Sequence, residues 1–167
     1  PGIRHRVVEA SPSIEVIEIG VPAEHVTTID HEMTLPNGKG DPAREWEGQT
    51  FVHHVKEGVA SQPFRIPGFV ARDTGITKGT KGVAGIQVAR FDGGTPPPAK
   101  HDADIHFSFV MEGSMTLNAE GQEPRKLEAG DAFVIPPGMV AQYSNCSPDL
   151  ELLEAGLRGD FSTTLLA

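Results

Sequence analysis

His101 and His106 bracket the short run Asp102-Ala103-Asp104, and this is the densest group of ligating side chains in the chain. Neutral imidazoles suit Zn, Cu, Fe and Ni. Asp104, on the bend between the histidines, could ligate directly or hold an imidazole nitrogen as an outer partner. His101, His106 and Asp104 are therefore the candidate metal ligands, for a divalent Fe, Zn, Ni or Mn ion. Catalytic zinc sites keep three protein ligands and one open position, so such a set would be just sufficient. A plainer reading stands beside it, in which both histidines are hydrogen-bonded polar groups at the mouth of a barrel that holds no metal. No catalytic residue is identified. His53 and His54 are adjacent, so in a strand they point to opposite faces and at most one could join a site. Cys146 has no catalytic signature around it and reads as a packing residue.

The elements that must position these residues are strands. Residues 105–111 alternate, with Ile105, Phe107, Phe109 and Met111 on one face and His106, Ser108 and Val110 on the other. Residues 83–91 read as a strand ended by Asp92-Gly93-Gly94, and the three prolines 96–98 stiffen the approach to His101. Further strands are expected at 14–19, 51–55, 64–70, 131–135 and 150–153, with a turn at Arg72-Asp73-Thr74-Gly75. Gln142 should point away from the site by strand alternation, whereas Ser108 and Tyr143 offer hydroxyls near the interior. The 19 Gly and 14 Pro, spread along the chain, suit many short strands and tight turns. The expected fold class is all-β, a double-sheet jelly roll.

An internal repeat lies across the two ends. Residues 1–28 align without gaps on 137–164, an offset of 136, with Pro1, Gly2, Ser11, Pro12, Glu15, Glu18, Gly20, Thr27 and Thr28 identical to their counterparts. Self-similarity at a fixed offset marks repeated structural units. The expected organisation is a tail remnant of a preceding repeat over 1–30, a linker over 31–50 rich in Gly, Pro and charge, and one complete barrel over 51–167. The apolar strand within 14–19 would seek another sheet edge, which predicts a homodimer through the N-terminal segment.

Composition narrows the partners. A net charge of −9 argues against nucleic acid and anionic membranes, and no apolar run is long enough for a membrane-spanning helix. One cysteine excludes an intrachain disulfide and suits a reducing, cytoplasmic location.

Two linked patterns then suggest a family. Gly93-Gly94, His101, His106 and Glu112-Gly113 are followed by Gly130-Asp131, Pro136-Pro137-Gly138 and Asn145. Together these resemble the paired motifs of the cupin superfamily, of the conserved-barrel cupin-2 type, and the repeat suggests the C-terminal part of a bicupin. The resemblance implies a double-stranded β-helix, a jelly-roll barrel preceded here by an extra N-terminal strand segment and linker. It implies metal ligands at His101 and His106 but leaves two ligand positions on Ala99 and Ala141, while the repeat puts His5 where Ala141 stands. Deleting ligands enlarges a cavity, so the first expectation is a barrel that binds a small organic ligand, with or without a divalent metal on an incomplete ligand set. The alternative is a metal-dependent, dioxygenase-type enzyme acting on a small diketone or on an aromatic or other organic acid.

Overall fold

A computed structural model describes residues 5–29, 31, 41 and 43–167. The first elements are β1 (Glu45–Trp46), β2 (Gln49–Thr50), β3 (Gln62–Pro63) and β4 (Phe69–Asp73), then a single-turn helix, α1 (Ile76–Gly79). They are followed by β5 (Ala84–Phe91), β6 (Ala99–His101), β7 (Ile105–Glu112), β8 (Ser114–Ala119) and β9 (Arg125–Glu128). The chain closes with β10 (Ala132–Val134), β11 (Ala141–Ser144), β12 (Glu151–Leu157) and β13 (Thr163–Leu165). A six-stranded sheet ordered β10-β7-β12-β5-β4-β3 faces a five-stranded sheet ordered β13-β6-β11-β8-β9. Every pairing is antiparallel, and the architecture is the jelly roll expected from the sequence.

Alternation along β7 places His106, Ser108 and Val110 inside, as the sequence pattern requires. Register then builds interior rows across the sheet. Ala89, Leu152 and Val110 form an apolar row; Gln87, Glu154 and Ser108 form a polar one; Gly85, Gly156 and His106 form the last. The apolar rows merge with Phe64, Phe69, Met115, Tyr143 and Leu150 in the core. Phe69 anchors it, meeting Phe91 and Tyr143 edge-on with ring centroids 5.4 and 6.0 Å away, the geometry that aromatic quadrupoles favour. One end of the barrel is thus solid hydrocarbon, and polar chemistry is confined to the other.

The structure corrects several local expectations. Residues 14–19 pair with no strand among the described residues, and residues 5–29 are exposed throughout. The span 31–50 is not only a linker, because β1 and β2 form a hairpin in it. Its turn at Glu47-Gly48 has positive φ at both residues, as the tightest hairpin turns require. Residues 51–55 form no strand, and the strand expected over 64–70 begins only at Phe69. The expected turn is real: Asp73 ends β4, and its carboxylate accepts the backbone N–H of Gly75, 2.9 Å away.

Candidate functional site

The polar end of the barrel is organised by Arg65, on the turn between β3 and β4. Its Nη2 donates to His106 Nε2 at 2.7 Å and also to Glu154 Oε2. Its guanidinium lies over the rings of Phe64 and Phe161, 4.5 and 5.1 Å from their centroids. Arginine suits this position because its delocalised charge is weakly hydrated and stacks on aromatic faces. Glu154 is buried in the middle of β12, and Tyr143 OH approaches its Oε1 at 3.4 Å. Burial works to raise the Glu154 carboxyl, but the Arg65 charge, with contacts from His106 and Tyr143, holds it below the ordinary carboxylate range. The Tyr143 hydroxyl is pushed well above its usual range by burial and by the neighbouring Glu154 charge.

The histidine tautomers follow from their partners. Arginine can only donate, so His106 Nε2 accepts and Nδ1 carries the proton. The 3.4 Å approach of Nε2 to Glu154 Oε2 is then a contact between two acceptors that share the Arg65 amine. His106 is almost completely buried, and its Nδ1 has no hydrogen-bond partner among the described residues. His101 is oppositely disposed: Nε2 donates to the carbonyl of Ile135 at 2.9 Å, and Nδ1 accepts from the backbone N–H of Ala103 at 3.2 Å. Burial, followed by the proximity of His106, lowers the basicity of His101. The two imidazoles lie 4.7 Å apart, centroid to centroid, and Phe161 packs against both.

Phe161 reaches them because residue 156 is glycine, since a side chain there would run into the Phe161 ring. Asp102 fastens this segment. Its Oδ1 accepts the Ser162 N–H at 2.7 Å, its N–H donates to the Ser162 carbonyl at 3.2 Å, and its carbonyl accepts from Arg158 at 2.9 Å. Two cavities meet at Arg65 and His106. One of about 20 Å³, room for roughly one water, is lined by His101, Ala99, Ala141, Tyr143 and Thr163 as well. The other, of about 200 Å³, adds Thr77, Gln87, Glu154 and Phe161.

The three candidate ligands do not converge. His101 and His106 come together in the interior, but the Asp104 carboxylate is 73 % exposed and faces Arg158 Nε at 3.9 Å. Nor do the donors present fit a divalent cation. Both His101 nitrogens are taken by the backbone, and His106 Nε2 is filled by a guanidinium. Ala99 and Ala141 offer no donor atom, and no group of three or more ligating side chains forms a metal cage among the described residues. Gln142 points outward, donating to the Pro96 carbonyl at 2.9 Å, as alternation predicts. His53 is exposed and His54 contacts Arg72 on the outside at 3.4 Å. Cys146 packs against the core, and burial pushes its thiol up to about 11.

Sequence reasoning missed Arg65, Glu154 and Phe161. Arg65 sits alone between Phe64 and Ile66 and carries no spacing signal. Glu154 did leave a trace: it is an ionisable residue inside an apolar strand and one of the identities of the repeat, paired with Glu18.

Comparison with known proteins agrees with the fold. Residues 90–154 match the family model for the cupin domain. Among solved structures, the polyketide cyclase RemF of Streptomyces resistomycificus is similar, with a TM-score of 0.57 and 17 % identity over 71 % of this chain and 88 % of that one. KdgF of a Halomonas species gives a TM-score of 0.54 and 23 % identity over 63 % and 93 % of the two chains. A cupin-like protein of Thermotoga maritima gives 0.52 and 18 %, over 69 % and 90 %. No curated protein matches the chain.

Proposed function

We propose, with a cupin domain over residues 90–154 as premise, that this barrel binds a small oxygen-bearing organic ligand through Arg65 and His106 without a metal ion. The observation that carries the reading is the Arg65 guanidinium seated on His106 Nε2, the atom a metal would need. Arg65 spends only Nη2 on His106 and Glu154, so Nε and Nη1 keep donors for a ligand carboxylate or carbonyl. His106 Nδ1–H is a further buried donor with no partner among the described residues. The adjoining cavity of about 200 Å³ is of a size for a compact ligand and offers Gln87 and Thr77 as additional polar contacts.

One observation favours a second, catalytic reading. Nε2 of His106 can take a proton if the Arg65 amine leaves it, and the imidazolium would then pair with Glu154 Oε2, 3.4 Å away. Such coupling supports proton transfer to or from a bound carbonyl compound. RemF, a similar barrel, is called a polyketide cyclase. A dioxygenase on a redox metal has less support, because three of the four nitrogens of His101 and His106 are engaged and the fourth, His106 Nδ1, carries a proton.

Calorimetric titration with acetate, pyruvate and glycolate, in the presence and absence of EDTA, tests the proposal. We expect saturable binding that is insensitive to EDTA and at least tenfold weaker in Arg65→Ala. Binding that appears only with added Fe, Zn, Ni or Mn, and that His101→Ala removes, would restore the metal-centred reading.

A further inference from the structure

Residues 5–28 repeat the part of the barrel that carries the site. Their counterparts, residues 141–164, comprise β11, β12 and most of β13, and supply Tyr143, Glu154, Gly156 and Phe161. At equivalent positions the N-terminal segment has Val7, Glu18, Gly20 and His25. The likeness extends to shape. Ile14 N–H donates to the Ser11 carbonyl at 3.3 Å, as Leu150 N–H does to Ser147 at 3.0 Å. A side chain on Gly20 would come within 3.3 Å of the His25 ring, just as one on Gly156 would run into Phe161. The turn before the strand and the fold-back after it are thus present in both copies, although residues 5–29 are exposed throughout.

We infer that residues 5–28 are the closing, site-bearing module of a second barrel, and that their partner is a jelly-roll sheet with the β12 position vacant and a cation opposite Glu18. The counterpart strand β12 is central, flanked by β5 and β7, and no residue along it is exposed. Residues 15–21 have the same character: Val16, Glu18 and Gly20 fall on the inward face, while Ile17, Ile19 and Val21 are apolar on the other. An edge strand of another copy of this chain offers only one neighbour, and its own β12 position is filled. An inward carboxylate also needs a cation, the role Arg65 fills for Glu154, since an unpaired buried charge is strongly unfavourable. This inference stands on the repeat and on local geometry, independently of the ligand proposal.

The test is a transplant within the whole chain, replacing residues 141–164 by the sequence of residues 5–28. The variant should retain the β-sheet circular dichroism of the parent and a single cooperative melt. A second variant replaces only residues 150–157 by 14–21 and makes the same demand without new junctions in β11 or β13. Failure of both to fold overturns the inference. Hydrogen exchange on the unaltered chain supplies the other arm: residues 15–21 should be unprotected, and light scattering should give a monomer. A dimer with protected 15–21 that Glu18→Lys dissociates would assign the segment to a second copy of the chain and overturn the partner named here.

Discussion

Residues 5–28 and 141–164 share a sequence pattern, a turn and a fold-back, yet Leu152 is fully buried where Val16 is 73 % exposed. The difference lies in their neighbours. β12 hydrogen-bonds to β5 and β7 along its length, whereas residues 14–19 pair with no strand among the described residues. A strand is therefore only half a property of its own residues: apolar alternation makes a segment competent, and flanking backbone makes it a strand.

Paired substitutions in the two copies sharpen this comparison, read by urea unfolding. The largest gap should fall at the carboxylates. Glu154→Ala strands Arg65 at a partly buried position and should cost about 3–5 kcal/mol, while Glu18→Ala should stay within about 0.5 kcal/mol. Leu152→Ala should cost about 2–5 kcal/mol from lost burial and the cavity left behind, with Val16→Ala near neutral. Gly156→Ala pushes a methyl against Phe161 and should cost about 1–3 kcal/mol; Gly20→Ala meets the exposed His25 ring, which can swing aside, and should cost less. Equal effects in both copies would mean that residues 5–28 are seated in solution.

A smaller effect comes from acid. The Glu154 carboxyl and the His101 imidazole are both held below their ordinary values. The unfolded chain therefore binds protons more readily at each, and stability rises with pH. The His101 contribution is complete above about pH 6.5, the unfolded value, and is lost as pH falls through the lower folded one. The Glu154 contribution is complete above about pH 4.3 and fades further into acid. His101→Asn should flatten the midpoint-against-pH curve just below about pH 6.5 and leave the steeper acid limb, which a pH series of melts would show.

The strand phase of residues 105–111 and the jelly-roll class were legible because period-2 alternation and turn residues report directly on which face is buried. The meeting of His101 and His106 was legible from their places on either side of the Asp102-Ala103-Asp104 bend. What the ring nitrogens do was not. It depends on Arg65 and Glu154, which are 41 and 48 residues from His106 in sequence and reach it only through the sheet register. Asp104 misled because nearness along a bend does not fix direction: its neighbour Ala103 is buried, while its own side chain turns to Arg158.

Asp102 ties down the segment that carries Phe161. Its carboxylate and backbone make three bonds to Arg158 and Ser162, so the Phe161 ring is held against the two imidazoles from both sides of its own position in the chain. If the barrel binds a ligand as proposed, loosening this segment would change how fast the ligand exchanges, and removing Arg65 would change how tightly it is held.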